Sequence, residues 1–115
     1  MKSDKIYILH IVDSIDQIFE YTEGLTIEKF ENNRMIQDAV IRNFEIIGEA
    51  SKNISSETKN RFNQIPWKNM AGMRDKLIHN YMGVDLGAVW NTIKDILNPL
   101  KTELTDIIEH LDKNS

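Results

Sequence analysis

The amino-acid sequence predicts an all-α domain, an up-and-down bundle of about five helices. Apolar residues recur every three or four positions along most of the chain, and no stretch alternates apolar with polar as a half-buried strand would. Only two prolines and five glycines occur in 115 residues, so few positions interrupt the helical period. A chain of this length buries one core and is too short for two, so residues 1–115 read as a single domain.

Ile8, Ile11, Val12, Ile15 and Phe19 mark a first amphipathic helix from Asp4 to Glu23, with Ser3 or Asp4 as its N-cap and Gly24 as its stop. Thr26 can cap a short turn through Phe30. Asn32 or Asn33 then starts the most strongly periodic helix, which carries Ile36, Val40, Ile47, Ala50 and Ile54 on one face. Gly48 within it costs about 1 kcal/mol relative to alanine, which predicts a close helix crossing there. Ser55 and Ser56 open a shorter, more polar helix that ends near Gln64.

Pro66 suits the first position of the next helix, where its missing N–H is not needed and its φ is already helical. That helix is expected to run to about Tyr81 and stop at Gly83. Asp85 caps the last segment, in which apolar residues from Leu86 to Leu111 keep a helical period across Pro99. One kinked helix is the expectation, and two helices broken at Asn98 are the alternative.

The composition excludes several classes. With no cysteine, the chain has no disulfide scaffold, thiolate metal site or thiol nucleophile, and a reducing, cytoplasmic location fits. Charges interrupt the first residues too often for a signal peptide, and no run approaches the roughly 20 apolar residues of a membrane span. The net charge of −4 argues against a protein that coats long stretches of nucleic acid. A small basic cleft stays open, and the middle third would supply it through Lys52, Lys59, Arg61, Lys68, Arg74 and Lys76. No phosphate-cradling glycine loop, metal-ligand cluster or cofactor motif occurs, so no metal and no cofactor are expected.

The segment MAGMRDKLIHNYMG holds Arg74, His79 and Tyr81 in the pattern Arg-x4-His-x-Tyr. It resembles the HEPN ribonuclease motif in its HepT form. The blocks AVIRNFEIIGEASKNIS, IPWKNMAGMRDKLIHNYMGVD, VWNTI and LNPL also resemble successive HepT blocks and extend the similarity from about Val40 to Leu100. The resemblance implies a HEPN-like helical homodimer that cleaves RNA, with transfer RNA as one substrate class, by attack of a 2′-hydroxyl on the adjacent phosphate without metal.

Arg74 and His79 are then the catalytic pair. Imidazole titrates near neutrality and can move a proton, while a guanidinium fork can hold a crowded phosphate. Asp75, four residues before His79, is expected to orient the imidazole. Tyr81 is either a core tyrosine with its hydroxyl at the rim or, as the resemblance implies, the residue to which a partner antitoxin, a minimal nucleotidyltransferase, adds AMP. Helix geometry sets Arg74 and His79 roughly 140° apart around the axis and about 7.5 Å apart along it. Both can reach one phosphate only where the cleft wraps the helix end or draws on two subunits.

Asp38, Arg42, Glu45 and Glu49 form a stripe opposite the apolar face of the long central helix. The stripe reads as an exposed ion-pair ladder, or, since Arg42, Glu45 and Glu49 lie in a HepT-like block, as the lining of the cleft or the dimer contact. His10 and His110 read as surface or boundary residues, and Trp67 and Trp90 as core or interface anchors, with base stacking a further option for Trp67. The competing functional reading is a non-catalytic helical module that binds nucleotide or presents a substrate to a nucleotidyltransferase.

Overall fold

A computed structural model describes residues 2–79 and 83–113, with the side chains of residues 2, 74 and 77–79 outside the description. Its described residues form seven helices and no strand: α1 (Lys2–Thr22), α2 (Ile27–Glu31), α3 (Arg34–Lys52), α4 (Ser56–Arg61), α5 (Trp67–His79), α6 (Leu86–Asp95) and α7 (Leu97–Lys113). The all-α expectation holds, and the count exceeds five because the turn after Thr26 is a helix of its own and the last segment is two helices.

Caps fix most of the boundaries. Thr26 accepts from the Lys29 N–H at 3.2 Å, Asn33 from Ile36 at 3.0 Å, Ser55 from Thr58 at 3.2 Å and Asp85 from Ala88 at 3.1 Å, each satisfying a donor the first turn leaves open. Gly24 has φ 75°, the left-handed conformation that ends α1 without a Cβ penalty. The carbonyl of Pro66 accepts from Met70 at 3.0 Å, which puts proline at the N-terminal edge of α5. Residues 80–82, where the sequence sets the end of that helix, lie outside the description.

Several boundaries differ from expectation: α4 stops at Arg61 rather than near Gln64, and α5 begins at Trp67, one residue after Pro66. α1 begins at Lys2, before the expected caps, and Asp4 is buried at 1% exposure rather than capping its own helix. The last segment breaks at Ile96, not at Asn98 and not as a single kinked helix. Pro99 has no N–H to offer the carbonyl of Asp95, and its ring would crowd that carbonyl. The chain therefore closes α6 with the Ile96 N–H on Thr92 O at 3.0 Å and restarts with the Leu100 N–H on Ile96 O at 3.1 Å, so Pro99 sits in the first turn of α7, where no donor is required.

α3 is the centre of the bundle and packs against α1 on one side and α5 on the other. Ile8, Ile11, Ile15 and Ile18 of α1 are fully buried, as are Leu104 and Ile107 of α7, and Val40, Phe44 and Ile47 of α3 join them with no more than 2% exposed. Ion pairs give the directions. Lys5 near the start of α1 meets Asp112 near the end of α7 at 2.6 Å, and Asp16 meets Lys101 at 2.6 Å, so the two terminal helices run antiparallel. α2 closes the far end, its Phe30 ring 5.3 Å from the ring of Trp90 on α6.

The start of α1 is tied to the start of α4. Asp4 accepts from the Ser55 N–H at 2.9 Å, the Ser55 hydroxyl at 2.6 Å and the Thr58 hydroxyl at 2.5 Å. Burial pushes the Asp4 carboxyl up, but the hydrogen bonds from Ser55 and Thr58, with the nearby N-terminal charge, outweigh it and hold the group below its ordinary value.

Candidate active site and the grooves around it

α5 carries Arg74 and His79 in its second half, and their side chains lie outside the description. Their backbone positions keep the separation that helix geometry demands, roughly 140° and about 7.5 Å. Tyr81 lies outside the described residues altogether, and so does any account of its environment.

α5 is anchored at both ends of its described side chains. Trp67 is only 6% exposed and donates its indole N–H to Phe62 O at 3.0 Å, so it is a core anchor and its face is not open to a base. Met70 is buried beside it at 4% exposure. Further along, Asp75 is half-buried and accepts from Lys52 of α3 at 2.8 Å. The described geometry therefore shows Asp75 fastening α5 to α3, directly beside Arg74 in sequence. The expected contact with the imidazole of His79 falls outside the described side chains.

Lys52 also marks the face of α3 that meets α5. Phe44, Gly48 and Lys52 follow one another at four-residue spacing, so the buried Gly48 lies on the line between a ring that faces a groove beside α5 and an ammonium bonded to α5. Small size at position 48 suits the extensive α3–α5 contact.

Arg42, Glu45 and Glu49 line a groove of about 280 Å³ between α3 and α1, together with Tyr7 and His10. Asp38, the expected first rung of the ladder, accepts from Arg34 at 3.3 Å, one turn earlier. Seven residues separate Glu45 from Lys52, so the outer stripe of α3 borders the α1 groove on one side and reaches the Lys52–Asp75 bridge on the other. Arg42, Glu45 and Glu49 share that groove, and the motif helix lies across the stripe from it.

A larger groove of about 530 Å³ runs between α5 and α6 and is floored by Phe44. Lys68 and Lys76 stand on its α5 wall. In the sequence these two lysines belong to a diffuse basic region, and their four-residue spacing through Gly72 is the signal that they share a face. The other basic residues are elsewhere. Arg61 lies over the ring of Phe62 at 5.0 Å on α4. His10 and His110 are exposed as expected, the latter with its ring 6.2 Å from Phe62. Trp90 is buried at 8% exposure, with Lys94 over its ring at 4.7 Å.

Among the described residues, no three His, Asp or Glu side chains gather as a metal site would require, and no helix is long and apolar enough to cross a membrane. Comparison with known proteins matches residues 11–107 to a family described as "Ribonuclease HepT-like". The chain is 50% identical, over 98% of its own length and 51% of the other's, to "Gamma-glutamylcyclotransferase and putative RNase MJ0434" of Methanocaldococcus jannaschii. It thus spans about half of that relative. It is 42% identical to "Putative RNase MJ0125" of the same organism, covering 95% of this chain and 94% of that protein. It is 47% identical to "Probable ribonuclease HepT" of Thermococcus cleftensis, covering 87% and 91%. No solved structure matches.

Proposed function

We propose, from the premise that this chain belongs to the HepT-like ribonuclease family, that it cuts RNA through Arg74 and His79. The observation that carries the reading is the Arg-x4-His pair on α5, inside the residues matched to the family. The RNA 2′-hydroxyl attacks the adjacent phosphorus, the O2′–P bond forms and the P–O5′ bond breaks, which leaves a 2′,3′-cyclic phosphate and a 5′-hydroxyl. His79 moves a proton at one of these oxygens, and Arg74 holds two non-bridging phosphate oxygens through its planar fork. No metal takes part in this scheme.

The 140° between the two positions favours a cleft completed by a second copy, so a homodimer is part of the proposal. The outer stripe with Arg42, Glu45 and Glu49 is the surface we assign to its contact or lining, since cation and anions on one patch can pair with themselves across a twofold axis. Control by a minimal nucleotidyltransferase antitoxin follows from the resemblance. AMP added to Tyr81, two residues beyond His79, would bring bulk and negative charge to the phosphate position and repel RNA. The toxin then acts in the cytoplasm, with transfer RNA the first substrate to try.

The test is cleavage of a defined RNA in excess chelator with the product ends identified. Products ending in cyclic phosphate, lost in Arg74→Ala and His79→Ala by a factor on the order of 10²–10⁴, support the reading. Cleavage that persists in either variant removes it.

A further inference from the structure

Nothing among the described residues requires Gly72 to be glycine. It lies inside α5, where glycine is the poorest residue after proline, and its φ is not in the left-handed region. Among the described residues, a Cβ added there would meet nothing within 4 Å, so close approach of a described helix does not explain it either. What the missing side chain does is leave open the groove between α5 and α6 that Gly72 lines.

That groove has the composition of a nucleotide site. At about 530 Å³ it falls within the roughly 300–1,000 Å³ of small-ligand sites. Met73 and Val89, both half-buried, give it an apolar bed over the buried Phe44, and Lys68 and Lys76 are exposed on its α5 wall. Eight residues put these two ammonium-bearing positions about 12 Å apart along the axis, one at each end of the bed. Asp85 is the acid of the lining, and its carboxylate already accepts from Ala88 at the N-terminus of α6, where the helix dipole offsets its charge. The exposed amide of Asn69 adds a donor and an acceptor at the edge. A flat apolar unit with an anion on either side fits this pattern, on a chain whose net charge is −4.

The stripe continues to the motif. Seven residues, about two turns, separate Gly72 from position 79, so the helix register carries the groove's line on to His79. We infer that the α5–α6 groove seats one unpaired nucleotide of the RNA next to the scissile phosphate, with Lys68 and Lys76 on its flanking phosphates and Gly72 keeping the seat clear. The inference rests on the ribonuclease reading for its substrate, and its test separates the two.

Gly72→Leu fills the groove and improves the local helix, whereas Gly72→Ala improves the helix and leaves most of the space. Affinity for a short, fluorescent, 2′-O-methylated RNA, which binds without being cut, is measured on the full chain together with melting temperature. The leucine variant should melt no lower than the parent and bind at least 10-fold more weakly, with the alanine variant within about 3-fold of the parent. The paired change Lys68→Gln with Lys76→Gln should weaken binding similarly and flatten its salt dependence. On a cleavable RNA, Gly72→Leu should raise KM by at least 10-fold with kcat changed less.

Undiminished RNA affinity in Gly72→Leu overturns the groove assignment, as does a variant whose self-association falls while its RNA affinity holds. If the leucine variant fails to fold, the lysine pair decides on the same criterion. Binding that behaves as described in a protein that never cuts RNA retires the nuclease reading alone, and a parent that binds no RNA retires both.

Discussion

Asp4 ties the start of α1 to the start of α4. It is 1% exposed and receives three hydrogen bonds from Ser55 and Thr58, which lie more than fifty residues away in sequence. Asp4→Ala would leave those donors buried with no acceptor, at a cost of about 2–3 kcal/mol. A chemical-denaturation series should show this as a lower midpoint with an unchanged slope. Because the folded carboxyl titrates below its ordinary value, its contribution is complete above the unfolded carboxyl range and is lost as pH falls through that range and below. The loss of stability between neutral and acid pH should therefore be smaller in Asp4→Asn than in the parent, as read from denaturation midpoints at the two pH values. In the sequence Asp4 looks like an N-cap, since Ser3 and Asp4 precede an apolar period, and nothing local reveals a partner across the bundle. Trp67 shows the same limit. Its neighbours are basic and polar, yet its side chain turns inward to Phe62 O.

At the scale of elements, the helices were legible wherever a cap and a period agree. Thr26, Asn33, Ser55 and Asp85 open their helices as their residue types suggest. The break at Ile96 was less legible because the apolar period runs straight through it, while the backbone responds to the donor that Pro99 lacks. The two helices it creates both bury their apolar faces, so Leu104→Ala, at a fully buried position of α7, should cost about 2–5 kcal/mol in the same denaturation measurement. The bridge from Lys52 to Asp75 is of another kind. Both side chains are substantially exposed, at 37% and 49%, and Lys52→Ala should change stability by less than about 1 kcal/mol. If that variant nevertheless loses cleavage activity severalfold, the bridge sets the position of α5 rather than holding the fold together.

On the scale of the whole molecule, a thin bundle of 46 × 29 × 20 Å with net charge −4 offers RNA few cations. Those that we assign to RNA are Lys68, Lys76 and Arg74, so a plot of log affinity against log salt should have a shallow slope of about −2. A slope several times steeper, measured by titration from low to high salt, would mean a wider basic surface than these three residues provide. The family and the motif were legible in the sequence, and so was the apolar core. The groove that Arg42, Glu45 and Glu49 line with α1, across the α3 stripe from the motif helix, was not legible in the sequence, because Tyr7 and His10 reach it from more than thirty residues away.

Arg74 and His79 cannot share one narrow face of α5, and the proposed cleft therefore takes its arginine from one copy of the chain and its histidine from the other. Co-expression of Arg74→Ala and His79→Ala chains carrying different tags, followed by isolation of the mixed dimer, measures this directly. One of the two clefts in such a dimer receives an intact arginine from one chain and an intact histidine from the other. Cleavage restored to up to about half the parent rate per dimer is the predicted result, with each variant alone inactive. A mixed dimer as inactive as its parents would contradict the shared cleft.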